Sequence, residues 1–490
     1  MSLLTVARNP DWIGCIDFGT ALSKVALTRR MPRSGLTEKD IVALAIGVRD
    51  GVATPNPFLL PSIVYVTDQG FLFGLEAQAA AVRNERLGRQ AFASPKQYLS
   101  THEPEQLDEP LEHDIDPTRT YTPRILLALF LAHLLVQAGR AAAAAGVPWP
   151  VPLRIARPAW AASRAAAGEK NLRSLVLQAF AIADALGDRL SATKGLTHKE
   201  ARSTLAKVMS NEHFHNPAAY ARLFELSTRG SSSVLEATAV AAGSIRETGR
   251  RVIAVADIGG GTSDFGAFMT GLPGRDALAE IKGSSRILRE AGDHLDMLLT
   301  RYILNRAGID RDDPAGRGIA NRLRARQRET KQVLFAEGRV TVEIGDDFQT
   351  VTQEDFLKDP LTEAFTQRLR TAFGQTLTFA VECARQYSLN GGRTPVEILL
   401  TGGGNGLPMV RDLVNNPPVR WHYLAASPEL PNGPVHNDFL AVRRQLAVAI
   451  GGAVRDLPRE TAAIRLWPTG AQWQPKTVEV LEPPPRTPRS

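Results

Sequence analysis

Two short polar turns hold the residues best suited to chemistry. Asp17, Gly19 and Thr20 lie in IGCIDFGTALSKVALT, and Asp257 to Asp264 lie in RVIAVADIGGGTSDFGAFMT. Each is an acid and a glycine turn between two apolar, β-prone runs, which reads as a hairpin whose turn faces a ligand. Glycines in tight turns let successive backbone N–H groups approach an anion, and Gly19, Gly259, Gly260 and Gly261 are placed to form such cradles. Thr20 and Thr262 add hydroxyl donors. Asp17 and Asp257 would repel bare phosphate, so a cation is implied. Mg²⁺ suits them, because it keeps most of its waters and is held by one or two carboxylates together with phosphate oxygens. One such turn reads equally well as a plain hairpin. Two in matching strand contexts read as opposed clamps on a polyphosphate. A third turn, Gly402, Gly403 and Gly404, follows the strand-like VEILL and precedes a helix starting near Pro408, a geometry that presents free N–H groups to an anion or nucleoside.

The elements around these turns organise the chain. A repeated strand-turn-strand unit implies two related α/β lobes sharing one cleft, residues 11–250 and 251–454, followed by a Pro-rich extended tail over 455–490. In the first lobe, SIVYVTDQGFLFG predicts a hairpin turning at Asp68, Gln69 and Gly70. Helical patterns dominate from Glu76 to Ala144, and VPLRIARPAW reads as a strand. Residues 163–235 read as an all-helical insertion with a cap at Thr197 and polar breaks at His213 to Asn216 and Arg229 to Ser233. In the second lobe, Gly292 to Glu337 and Gln353 to Tyr387 read as helices, with RVTVEIGDDFQTVT as a hairpin between them.

The 490 residues are 43% hydrophobic and 22% charged, the composition of an ordinary globular chain long enough for more than one core. The net charge of +7 is spread among acids and forms no stripe, so no nucleic-acid partner is expected. Cys15 and Cys383 belong to no paired framework and read as buried thiols in a reducing compartment. The first residues lack the organisation of a signal segment. The apolar stretch from Ile125 to Val136 is too short to span a bilayer and reads as a buried helix. A cytoplasmic location without membrane insertion is the expectation.

IDFGTALSKVAL, ADIGGGTSDFGAF and ILLTGGGNGLPMV resemble, in order, the first phosphate, second phosphate and adenosine motifs of the actin-like ATPases. Within that superfamily the chain is most similar to the nucleotide-binding domain of the seventy-kilodalton heat-shock chaperones. LPSIVYV resembles their strand entry after the first hairpin, SPKQYLS their catalytic-lysine segment, ARPAW their V-P-A-Y/F turn and LEATAVAAG their E-P-T-A-A-A helix. AGDHLDMLLTRYI, VTQEDF and DFLAVRRQLAVAIGGA match later segments, so the likeness covers roughly 11–454. The resemblance implies two ribonuclease H-like α/β lobes, each with a subdomain, that bind ATP or ADP with Mg²⁺. It implies that Asp17 and Asp257 hold the hydrated metal, that Lys96 is the catalytic cation near the γ-phosphate, and that Glu236 positions water. Asp17 and Asp264 complete the implied catalytic set, and Lys331 contacts the base.

The chain also departs from that pattern. At the positions that hold adenine in the chaperones it has Gln332, Gly406 and Arg328, with only Lys331 retained and Glu329 one place away. Ala21 stands where the chaperones have a second threonine, which implies slow hydrolysis. No β-sandwich for unfolded peptide is expected in the 36 or so residues after Val454. The implied function is a nucleotide-switched, weakly ATP-hydrolysing, chaperone-like protein with one or more protein partners. Alternatives are a small-molecule kinase of the same superfold, a filament former, and a scaffold that binds nucleotide without hydrolysis.

Overall fold

In the computed structural model, β1 (Trp12–Asp17) turns back on β2 (Leu22–Arg29), with Asp17 opposite Lys24. The residues described are 7–32, 36–48, 56–84, 87–157, 160, 163–210, 223–224, 233–245, 249–270, 278–310, 313–388, 394–428, 437–460 and 479–481. β3 (Ile41–Ala43) and β4 (Leu60–Pro61) pair with β2. β5 (Ile63–Val66) and β6 (Gly70–Phe73) form the expected hairpin, whose turn is closed by the Thr67 hydroxyl accepting the Gly70 N–H.

The stretch expected to be mainly helical holds α1 (Gly74–Arg83), β7 (Phe92–Ala93), α2 (Pro95–Thr101) and α3 (Pro123–Ala144). β7 interrupts it because Phe92 pairs with Val64 and is fully buried, a long-range contact that outweighs local helical preference. Thr122 caps α3, with Pro123 in its first turn. At 22 residues, α3 outruns the apolar stretch read from the sequence and is long and apolar enough to cross a membrane. Burial rather than length accounts for its composition, since Leu126 to Leu135 lie in the core apart from the polar contact of His133.

β8 (Leu153–Ala156) is followed by α4 (Ala165–Leu186), which packs along α3 through Leu172, Leu175 and Phe180. Then come β9 (Leu196–Thr197), α5 (His198–Met209), β10 (Ser233–Val234) and α6 (Glu236–Ser244). Thr197 and Glu200 form a capping box at the predicted helix start. Residues 163–235 are nevertheless not all helical. β9 joins β6 and β10 joins β8, and strands of two residues are too short to show a period-2 pattern. The breaks at 213–216 and 229–232 lie outside the described residues.

The second glycine turn joins β11 (Val252–Ile258) to β12 (Ser263–Met269), with Asp257 opposite Asp264. β13 (Ala279–Glu280) and β14 (Arg286–Leu288) lie along β12, and α7 (Gly292–Arg306) and α8 (Pro314–Glu337) follow. β15 (Arg339–Ile344) and β16 (Asp347–Thr352) are the predicted hairpin, and α9 (Gln353–Leu357) and α10 (Pro360–Tyr387) the predicted helical stretch. β17 (Val396–Thr401), α11 (Pro408–Asn415), β18 (Tyr423–Ala426) and α12 (Asn437–Ala453) complete the ordered sequence motifs. Within 455–490, β19 (Arg459–Glu460) and β20 (Glu479–Leu481) pair with β13 and β14.

The chain is thus mixed α/β, with several sheets and twelve α-helices among the described residues. Its two large sheets run β10-β8-β1-β2-β3 and β18-β17-β11-β12-β13-β19. Each contains a glycine-turn hairpin whose first strand is flanked by a parallel strand, β8 on β1 and β17 on β11. One apolar cluster joins Cys15 and Ala156 of the first sheet to Val255 and Leu399 of the second through Val240 of α6 and Val448 of α12. α6 and α12 cross at Gly243 and Gly451, so closely that a Cβ on Gly451 would lie 1.6 Å from the Ala239 carbonyl oxygen. The two hairpin turns meet beside this crossing.

Candidate functional site

Antiparallel register puts directly opposed residues on one face, so each hairpin points its acid and that acid's partner the same way. In the first hairpin, Lys24 Nζ lies 2.6 Å from Asp17 Oδ2. In the second, Asp264 stands opposite Asp257, and the Thr401 hydroxyl at the end of β17 donates to Asp257 Oδ1 at 2.7 Å. The two turns are in contact. A Cβ on Gly261 would lie 2.6 Å from Thr20 Oγ1, and one on Gly260 would lie 2.9 Å from the Ala21 Cβ.

Lys96, in the first turn of α2, reaches between the hairpins and donates to Glu236, the first residue of α6. It also lies 3.8 Å from Asp17 Oδ1. Glu236 Oε2 accepts from the Thr262 hydroxyl at 3.4 Å, which ties the pair to the second turn. Burial pulls the Lys96 ammonium towards neutrality, but the Glu236 and Asp17 carboxylates more than reverse this and hold it charged, above its ordinary value. Burial, reinforced by Glu236, pushes the Asp257 and Asp264 carboxyls up.

Four buried carboxylates, Asp17, Glu236, Asp257 and Asp264, therefore meet two ammonium groups, Lys24 and Lys96. Asp264 Oδ2 is buried with no hydrogen-bond partner. Such an atom carries a desolvation cost that a cation would remove. The donor set, all hard carboxylate oxygen, fits Mg²⁺. Among the described residues no three His, Cys, Asp or Glu side chains converge to ligate a metal directly. That spacing suits a cation bound through its own waters.

The turns border a cavity of about 510 Å³. Asp17, Gly19, Thr20, Glu236, Asp257, Gly259, Gly260, Thr262, Gly402 and Gly403 line it, while Lys96, Gly261, Asp264 and Gly404 stand outside that lining. Lys331 is elsewhere. Its ammonium binds buried Asp296 at 2.9 Å and the Gly292 carbonyl at 2.8 Å, behind the second turn. The third turn also differs from the expected cradle of free donors. Gly402 N–H donates to the Arg444 carbonyl and Gly404 N–H to the Ile258 carbonyl, so these two amides shape the turn. Gly402 has φ +82°, and a side chain there would strike the Ile258 backbone. In the second turn the Gly259 N–H is likewise taken, by the Thr262 carbonyl.

Sequence reasoning missed Lys24, Gln445 and Val448, all of which line the cavity. For Lys24 a signal existed, because it follows Asp17 by the same interval as Asp264 follows Asp257. No sequence signal marks Gln445 and Val448, which reach the cavity only because α12 crosses α6. A contact network also spans the turns. Ser94 Oγ donates to Asp293 Oδ2 at 2.5 Å, and Arg328 extends towards Asp293 Oδ1 and the Ala21 carbonyl at 3.4 and 3.5 Å. A larger cavity, about 620 Å³, lies beside His133 and Gln137, and no glycine-turn hairpin borders it. We therefore take the smaller one as the candidate site. No protein-family model matches the chain, and neither does any curated protein.

Proposed function

We propose that this cleft binds ATP with Mg²⁺ and hydrolyses it slowly, and that the two large sheets are the cores of two actin-like lobes whose closure follows the nucleotide. The observation that carries this reading is the pair of like hairpins meeting at a cavity, with the buried Lys96–Glu236 pair between them. Unfilled turns around buried charge are what a polyphosphate site requires. Residues Asp17, Asp257 and Asp264 are the carboxylates able to hold hydrated Mg²⁺, which when bound neutralises phosphate charge.

In hydrolysis a water oxygen bonds to the γ-phosphorus as the bond to the β,γ-bridging oxygen breaks, giving ADP and phosphate. Glu236 orients that water and accepts its hydrogen bond, and Lys96 faces the charge that develops on the transferred oxygens. Thr20 and Thr262 offer hydroxyl donors from opposite turns. A protein partner that senses lobe closure would make the cycle a chaperone-like switch.

A second reading, a scaffold that keeps nucleotide without hydrolysis, is favoured by two ion pairs. Lys96 is bound to Glu236 and Lys331 to Asp296, so both lysines assigned to nucleotide already have acidic partners. Calorimetric titration with ATP and Mg²⁺, followed by phosphate release, separates the readings. The ATPase reading expects binding together with release that falls about a hundredfold or more in Lys96→Ala. It also expects weakened binding in Asp17→Ala and Asp257→Ala. Binding without release would leave the scaffold, and no binding at millimolar ATP would sink both.

A further inference from the structure

The two hairpins repeat one device with one change of charge. The seventh residue after the acid is Lys24 in the first and Asp264 in the second, and each is the direct cross-strand partner of its acid. Opposite charges across a ladder attract and like charges repel. The first hairpin therefore brings its own counter-ion, and the second sets two carboxylates side by side.

The contacts follow this division. Asp17 is served on both oxygens, by Lys24 at 2.6 Å and Lys96 at 3.8 Å. Across the site, Asp257 has the neutral Thr401 hydroxyl, and Asp264, 4% exposed, has one oxygen with no hydrogen-bond partner. Lys24 also stands against the first turn, since a Cβ on Gly19 would lie 3.5 Å from its Nζ, and it lines the cavity. An ammonium group has three donors, one of which goes to Asp17.

We propose that Lys24 is a built-in cation serving the first turn, so that the need for a divalent ion falls on Asp257 and Asp264, and the cleft retains a nucleoside triphosphate without divalent metal. This rests on the nucleotide reading above and refines it: Asp17 is held by ammonium groups rather than being half of a symmetric metal pair. Lys24 is fixed on a strand and carries its charge to the phosphates with no metal to recruit.

The test is ATP affinity by calorimetry, in Mg²⁺ and in EDTA, for the full chain and for Lys24→Met, Lys24→Arg and Asp264→Asn. Nucleotide-free Mn²⁺ binding is read in parallel by electron paramagnetic resonance. In EDTA the unaltered protein should lose less than about tenfold in affinity, and Lys24→Met a further tenfold to hundredfold, the worth of one hydrogen bond to a charged group. In Mg²⁺ the same substitution should cost much less, and Lys24→Arg should keep most of the EDTA affinity. Mn²⁺ binding should fall in Asp264→Asn and persist in Lys24→Met.

Binding in Mg²⁺ that vanishes in EDTA for the unaltered protein would overturn the proposal, whether or not any variant folds. So would an equal loss in both media for Lys24→Met, which would make Lys24 only a structural partner of Asp17. Absence of ATP binding in both media would instead defeat the nucleotide reading, and this proposal with it.

Discussion

A buried ionisable side chain ties folding to pH even when it takes no part in chemistry, and His133 in α3 is one. Its ring stacks on Phe73, its Nδ1 lies 2.8 Å from the Leu190 carbonyl, and burial lowers its pKa to about 4. Between that value and about 6.5 the unfolded chain binds a proton that the folded protein refuses. Stability from this residue is complete above pH 6.5 and is lost as pH falls towards 4, by about 3 kcal/mol in all. We expect His133→Phe to flatten that decline, seen as a shallower slope of Tm against pH across the window. An unchanged slope would show that other groups control it. At the candidate site the residue scale poses the reverse problem, because Lys96 and Glu236 satisfy one another and Asp264 keeps an unpartnered oxygen.

At the scale of elements, the α6–α12 crossing matters most for the site. Glu236 begins α6, while Gln445 and Val448 of α12 line the cavity. The helices can approach this closely only because Gly243 and Gly451 face one another, with a Cβ on Gly451 coming 1.6 Å from the Ala239 carbonyl oxygen. Neither backbone can yield without parting the helices. Gly451→Val should therefore cost about 3 kcal/mol or more by overpacking, measured as a reduced urea midpoint. A midpoint within error of the unaltered protein would mean that the crossing relaxes freely. Gly452 is a less severe site, since its closest neighbour is the Cys15 side chain rather than backbone.

At the scale of the molecule, nucleotide would act through linkage. A ligand that binds only the folded protein stabilises it by about 2.7 kcal/mol at a concentration a hundredfold above Kd. ATP with Mg²⁺ should raise Tm accordingly, and small-angle X-ray scattering should report a smaller radius of gyration if the two large sheets close on it. A rise in Tm with no change in radius would support nucleotide binding and oppose the lobe-closure switch.

The sequence by itself determined the elements whose signals are local. Glycine between apolar runs specified both hairpins, Thr197 with Glu200 specified the start of α5, and Pro408 that of α11. The repeated acid-glycine turn also marked most residues that now line the cavity. What depends on distant contacts was not legible. β7, β9 and β10 are two residues each and exist because a remote strand pairs with them. The apolar length of α3 has meaning only once α4 covers it. Lys331 is drawn to Asp296, and Gly402 and Gly404 spend their amides on Arg444 and Ile258, because a buried charge or N–H takes the nearest partner that packing supplies. Lys24 was visible as a residue, but its part in the site was decided by register, which sets it opposite Asp17 and on the same face of the sheet.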